Sequence, residues 1–191
     1  MTIEEYDFQT ITRNIPEEKR INNLLSAADI LSMQLPDPVW IVPDYLPVGM
    51  SILAARPKIG KSWLALQICQ AIVNGGKLFG QDIEQGRVLY LALEDSVRRL
   101  QSRMIKQGWG SENSHLANLF TFEEFRKHIG FLNREGTERL EALILANEYR
   151  FVVIDTLSRA FIGVKDINDS QEVTAALHPL QEIAIHNNIG I

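Results

Sequence analysis

Gly60, Lys61 and Ser62 close the segment SILAARPKIGKS (51–62), which satisfies the phosphate-loop spacing G-x-x-x-x-G-K-[ST] at every fixed position except the first, where Ala55 stands. That spacing does chemistry because a glycine-rich turn between a strand and a helix lets backbone N–H groups surround phosphate oxygens, and the helix N-terminus adds a favourable dipole. In such a loop Lys61 reaches the β- and γ-phosphates of ATP, serving catalysis as well as binding, and the Ser62 hydroxyl ligates Mg2+. Gly60 lets the chain pass close to the phosphates with no Cβ in the way. The first position needs mainly a small residue, which Ala55 satisfies if its φ stays negative. The expected nucleotide contacts are Ala55, Arg56, Pro57, Lys58, Ile59, Gly60, Lys61, Ser62 and Trp63. The alternative, a chance Gly-Lys-Ser at a helix start, has against it a readable strand before the loop and a readable helix after it.

Two carboxylates would complete a hydrolytic site. RFVVID (150–155) ends an apolar run in Asp155. That puts the carboxylate at the C-terminal tip of its strand, where ligands gather in open α/β sheets. Asp155 is expected to hold Mg2+ through its water shell; a plain strand-ending turn residue is the bland alternative. In LYLALED (89–95) Glu94 follows its own strand in the same way, so both carboxylates are expected in one crevice. Glu94 would be the base that orients and deprotonates a water in line with the γ-phosphate. Glu94 and Asp95 could instead open the next helix, where acids suit the dipole; the base is assigned to Glu94 and the cap to Asp95.

Other polar residues carry less. His115, His128, His178 and His186 show no metal-ligand spacing. Arg98, Arg99, Arg103 and Lys106 could touch phosphate but read better as a solvated helix face. Trp40 and Tyr45 could flank a base but read better as packing on the core. Ser158 and Arg159 lie close enough to Asp155 to line the crevice, without an assignable role.

The elements that must position these groups are read from periodicity. Residues 1–35 form a polar N-terminal extension with a short amphipathic helix, in which Ile21, Leu24, Leu25, Ala28 and Leu31 recur at helical spacing. Pro36, Pro38, Pro43 and Pro47 mark 36–49 as an extended linker wrapping onto the next domain. From 50 to 191 strand and helix alternate. MSILAA is a short strand, and KSWLALQICQAIV a helix presenting Leu64, Ile68 and Ile72. RVLYLAL (87–93) is a strand buried on both faces, followed by a helix that Asp95 or Ser96 can cap and that presents Val97, Leu100 and Met104. NLFTF (118–122) is a strand, 123–135 is ambiguous, and TERLEALILANE is a helix capped by Thr137. After the strand RFVVID, Asp169 and Glu172 have capping-box spacing before a last helix that Pro179 should kink or break. Such alternation implies right-handed crossovers and a doubly wound, mainly parallel α/β sheet with flanking helices.

Bulk properties exclude several classes. The 191 residues suit one sizeable core, and a net charge of −5 argues against a surface that is basic all over. The one cysteine, Cys69, rules out an internal disulfide. No apolar run approaches the ~18 residues that span a bilayer, and MTIEEYDFQT lacks a basic n-region and an apolar h-region. The expectation is a cytoplasmic protein with no membrane partner.

Taken together, LPDPVWIVPDYLPVGMSILAARPKIGKSWLALQ, GRVLYLALEDSVRRLQSRM and FVVIDTLSRAF resemble the RecA-like AAA ATPases of the RepA type, which include a plasmid-encoded hexameric replicative helicase. The resemblance covers the chain from about residue 36 onward. It implies a RecA-like P-loop core, ATP and Mg2+ at subunit interfaces of a homo-oligomer (a hexamer in the full-length family), and single-stranded or origin DNA as a partner. By position it gives Lys61 and Ser62 to the phosphate loop, Asp155 to the Walker B strand and Glu94 to the catalytic glutamate. It also implies that the strand after Walker B lies between the Walker B and phosphate-loop strands. IGI (189–191) would be only the first residues of that strand, so the core is expected to be incomplete at its C-terminus, without the later strands, DNA-binding loops or arginine finger.

Two functional readings follow. One is the ATP-binding and hydrolysing domain of a DNA-associated, replicative-helicase-like ATPase. The other is a nucleotide-binding regulatory or remnant module with little or no hydrolysis. A small-molecule kinase, a third class, would need an arginine-rich lid segment that is not evident.

Overall fold

The computed structural model describes residues 24–35, 37–161 and 170–191, with side chains from Val173 onward in the last stretch. The expectations for residues 1–23, for Asp169 and for the side chain of Glu172 lie outside the described residues. The chain divides into two compact units, Met1–Asp37 and Pro38–Ile191.

In the first unit the described helix is α1 (Ala27–Ser32), and none of its residues is buried. Ser26 caps it. The Ser26 hydroxyl accepts from the Asp29 N–H at 3.1 Å while the Asp29 carboxylate accepts from the Ser26 N–H at 2.8 Å, a capping box that satisfies two otherwise unpaired donors.

The second unit opens with a hairpin. The stretch 36–49, read from its prolines as a linker, carries β1 (Trp40–Val42) and β2 (Leu46–Pro47), and Ile41 and Val42 are buried in the core. There follow α2 (Lys61–Asn74), the short hairpin β3 (Lys77–Leu78) and β4 (Gln81–Asp82), then β5 (Arg87–Ala92), α3 (Val97–Lys106) and β6 (Ala117–Thr121). The remaining elements are α4 (Phe122–His128), α5 (Arg134–Asn147), β7 (Tyr149–Asp155), α6 (Leu157–Ala160) and α7 (Ser170–His186).

β5, β6 and β7 form a parallel sheet in the order β6-β5-β7. β5 is its centre, and its apolar run is continuous because both faces are covered. Leu89, Leu91 and Leu93 pack on one side with Phe125, Leu140, Ile144, Leu180 and Ile183 from α4, α5 and α7. Val88, Tyr90 and Ala92 pack on the other with Leu66, Cys69 and Ile72 of α2 and Leu100 of α3. Side chains that alternate with period two serve two separate cores. Beyond β7, Gly190 bridges Phe151 on one side and Gly49 on the other, both in parallel. The Gly49 N–H donates to the Ile189 carbonyl at 2.9 Å, the Ile191 N–H to the Gly49 carbonyl at 3.0 Å, and the Ser51 N–H to the Ile191 carbonyl at 2.8 Å. Residues 189–191 thus lie between β7 and the segment that leads into the loop.

Several local expectations are corrected. MSILAA pairs only at its start and then runs exposed, with Ile52 64% and Leu53 51% accessible, so it does not form the short strand its apolarity suggests. α2 buries Leu66, Cys69, Ile72 and Val73, while Leu64 and Ile68 are only half-buried. Ile72 is common to both sets, and the buried stripe, covered by β5, β7 and β3, is turned from the expected one by about a third of a turn. The ambiguous 123–135 holds α4, opened by a capping box in which the Thr121 N–H donates to the Glu124 carboxylate at 3.2 Å. α5 is capped by Asn133, whose Oδ1 accepts from the Gly136 N–H at 3.0 Å; Thr137 sits buried inside the first turn instead. Asn is as good a cap as Thr and stands one turn earlier. α7 runs through Pro179 without a break. Proline forfeits one backbone hydrogen bond there, and burial of Leu177, Leu180, Ile183 and Ala184 in the core offsets it. Among the described residues no helix is long and apolar enough to cross a membrane.

Candidate nucleotide-binding site

The loop between Ala55 and Ser62 is exposed as far as Ile59, and Gly60, Lys61 and Ser62 are half-buried. Its backbone turns through two left-handed residues, Lys58 with φ 66° and Gly60 with φ 109°, and Gly60 is the N-cap of α2. A Cβ built on Gly60 would meet no atom within 4 Å. Glycine is therefore required there by conformation and not by crowding. Ala55 has no positive φ, which is the condition under which alanine can replace the first loop glycine. No side chain caps α2, so its first N–H groups are left to the loop. The Lys61 ammonium donates to the carbonyls of Ala55 at 2.7 Å and Arg56 at 3.2 Å, folding the loop around itself. Trp63, included among the expected contacts, is 38% exposed, and its carbonyl accepts from Gln107 Nε2 at 2.7 Å.

The two carboxylates stand at neighbouring strand tips. Ala92 is the register partner of Asp155, and the Leu93 N–H donates to the Asp155 carbonyl at 2.6 Å, which sets Glu94 one residue beyond. Each carboxylate is held by a hydroxyl from the other strand's side. Tyr90 of β5 donates to Asp155 Oδ2 at 2.7 Å. Thr156, just after β7, donates to Glu94 Oε1 at 2.8 Å. Tyr90 is 1% exposed. Burial first, then the adjacent Asp155 charge, pushes its phenol pKa far up, so it remains a proton donor at any ordinary pH. Ser158 Oγ lies 3.1 Å from Thr156 Oγ1. Arg159 donates to the Leu93 carbonyl at 3.2 Å and lies over the Phe122 ring at 5.7 Å, which ties the chain before Glu94 to the helix after β7.

Asp95 does not cap α3. Ser96 does, its hydroxyl accepting from the Arg99 N–H at 3.4 Å. The Asp95 carboxylate, 7% exposed, instead pairs with Arg99 at 3.1 Å and with Arg103. Arg103 is consequently not a solvated member of the arginine stripe; its side chain is 19% exposed. Val97, expected on the buried face, is 68% exposed, leaving Leu100 as the buried residue of α3.

The family profile of the AAA domain matches residues 15–190. The chain belongs to the AAA-domain family of P-loop ATPases. No curated protein matches the sequence. Membership makes this a nucleotide-binding, ATPase-like domain with a P-loop α/β fold, and implies ATP, usually with Mg2+. The residues present in this AAA domain fit that ligand. An uncapped helix N-terminus follows an open left-handed glycine, an ammonium is at hand to meet phosphate, and the hydroxyl of Ser62 and the carboxylate of Asp155 suit a hard cation.

Sequence reasoning missed Tyr90 and Thr156. Tyr90 left one signal, a phenol inside an otherwise aliphatic run, since a buried tyrosine hydroxyl almost always finds a partner. Thr156 left none, because its partner is 62 residues away.

Proposed function

We propose that this AAA domain binds Mg-ATP and hydrolyses it as part of a DNA-associated, replicative-helicase-like ATPase with a RecA-like, doubly wound core. The observation that carries the reading is the pair Glu94 and Asp155 at adjacent tips of β5 and β7, in a sheet whose 49–51 edge leads into the Gly60-Lys61-Ser62 loop. The position of 189–191 between that edge and β7 supports the RecA-like order. The likeness of the three sequence blocks to RepA-type ATPases supports single-stranded or origin DNA and a hexameric ring as partners.

In this reading Lys61 turns from the loop carbonyls to the β- and γ-phosphates, and Ser62 and Asp155 hold Mg2+, Asp155 through water. The cation, when bound, neutralises charge on the phosphates. Glu94 accepts a proton from the attacking water as its oxygen bonds to the γ-phosphorus. The bond to the β–γ bridging oxygen breaks, giving ADP and phosphate. Steady-state phosphate release, with and without single-stranded DNA, tests this. Glu94→Gln is expected to keep ATP binding and lose about 10²-fold or more of turnover; parental turnover in that variant removes Glu94 as the base.

One observation favours the second reading, a nucleotide-binding module that turns over little. Ile52 and Leu53, at the entrance to the loop, are exposed rather than packed, so the loop is braced on one side of its chain. Normal ATP affinity with no phosphate release in the parent chain would select this reading.

A further inference from the structure

Glu94 and Asp155 are each held by a hydroxyl, and the two hydroxyls cross: Tyr90 of β5 reaches the carboxylate of β7, and Thr156 after β7 reaches the carboxylate after β5. We propose that Tyr90 and Thr156 are positioning residues for hydrolysis, Tyr90 orienting Asp155 towards the cation and Thr156 orienting Glu94 towards the attacking water. The proposal rests on the reading of Glu94 as base and Asp155 as cation holder, and it concerns different residues.

The two bonds differ in kind. Tyr90 is fully buried and approaches Asp155 from the core side packed against α2. With Asp155 Oδ2 engaged from inside the protein, Oδ1 is the oxygen left to accept from the water shell of a cation. No solvent molecule can take the place of the phenol without opening the core. Thr156 is half-buried and its bond is accessible to solvent. Its worth lies in rigidity. Threonine is branched at Cβ and stiff at χ1, whereas a glutamate is free about three torsions. A hydroxyl has one proton to give. Thr156 spends its proton on Glu94 Oε1, so Ser158 is the donor in the contact at 3.1 Å and the chain of bonds runs Ser158 to Thr156 to Glu94. With Oε1 held, Oε2 is the oxygen available for the water. General-base catalysis depends steeply on such placement.

Three variants separate these roles. Tyr90→Phe keeps the ring and removes the hydroxyl; it is expected to raise the Mg2+ concentration for half-maximal turnover about tenfold, with magnesium-free ATP binding unchanged. Thr156→Val keeps the shape and removes the donor. It is expected to lower kcat about tenfold while KM for ATP and the Mg2+ requirement stay put. Thr156→Ser is expected to restore kcat to near the parental value, and thermal unfolding of all three checks that each is folded. A merely structural role for Thr156 would lower stability in Thr156→Val without splitting kcat from KM. Parental kcat in Thr156→Val, a Thr156→Ser variant as slow as Thr156→Val, or an unaltered Mg2+ requirement in Tyr90→Phe overturns the proposal. Glu94→Gln is run beside them. If it turns over as the parent does, the base reading fails; if it is inactive while Thr156→Val is not, only the positioning role fails. Should the parent release no phosphate, the hydrolysis reading fails. The Tyr90 arm is then read from the Mg2+ dependence of ATP-induced thermal stabilisation, and an unshifted dependence in Tyr90→Phe again overturns it.

Discussion

Gly190 lies between Gly49 and Phe151 in parallel register, and a Cβ on it would stand 2.7 Å from Ile41 Cγ1 and 3.0 Å from the Phe151 ring. This one residue joins the segment that leads into the loop before α2 to the strand that ends in Asp155, and the hairpin residue Ile41 closes over the join. The spatial relation between the loop and the carboxylates thus depends on a contact between residues far apart in sequence. Gly190→Ala forces the Ile41 side chain and the Phe151 ring apart, and is expected to destabilise the fold by about 1–3 kcal/mol. Urea unfolding of the variant checks it, with a midpoint equal to the parent's as the contrary result.

Substitution of the loop glycine should weaken ATP binding, and substitution of the loop alanine should not change it. Gly60 has φ 109° with open space around it, so Gly60→Ala costs about 1–3 kcal/mol of backbone strain with no clash. That strain falls on the loop, so ATP-induced stabilisation should fall more than stability without nucleotide. Ala55 has no positive φ. Ala55→Gly restores the full loop consensus yet should not tighten ATP binding, and it should lose about 0.5–1 kcal/mol of stability through unfolded-state entropy. Calorimetric titration of both variants would show it.

Asp95 and Glu94 are neighbours with separable jobs. Asp95→Asn leaves the largely buried Arg103 without its anion and is expected to cost about 1–3 kcal/mol of stability, less than for a fully buried pair because the Arg103 side chain is 19% exposed. ATP affinity should hold. Glu94→Gln removes a charge from an exposed side chain and should leave the unfolding midpoint within the usual surface range of about 0.5 kcal/mol. Paired denaturation curves decide it; equal losses in the two variants would contradict the division of roles.

Gly136 offers a test of packing against propensity. It lies in the first turn of α5, where Gly→Ala ordinarily stabilises by about 0.5–1 kcal/mol. Here a Cβ would stand 1.9 Å from the Phe131 carbonyl oxygen. Backbone cannot give way cheaply, so Gly136→Ala should destabilise by more than about 2 kcal/mol. A raised thermal midpoint would show that the turn at 131–136 relaxes freely.

These cases show what the sequence made legible and what it did not. The loop before α2, β5 ending at Glu94 and β7 ending in Asp155 were readable because each is a local pattern: a loop of fixed length, or an apolar run ending in an acid. Their mutual position was not. It rests on the cross-strand bonds from Tyr90 and Thr156 and on the pairing through Gly190, and no periodicity records partners on another element. Helix faces failed for a related reason. α2 is covered by both a sheet and a hairpin, so its buried stripe is wider than the one that Leu64, Ile68 and Ile72 define. Caps were misplaced where two good capping residues stood within a turn of each other, as Asp95 and Ser96 do, or Asn133 and Thr137. Pro179 misled because propensity prices one lost hydrogen bond, and burial along α7 outweighs it.

One comparison decides whether ATP is held by the loop around Lys61. Thermal unfolding of the parent chain and of Lys61→Ala, each with and without Mg-ATP at about one hundred times the parent's Kd, separates the outcomes. At that excess the parent should gain roughly 2.7 kcal/mol in a single cooperative transition, and Lys61→Ala should gain nothing. A parent transition indifferent to ATP, or an equal gain in Lys61→Ala, would contradict the account.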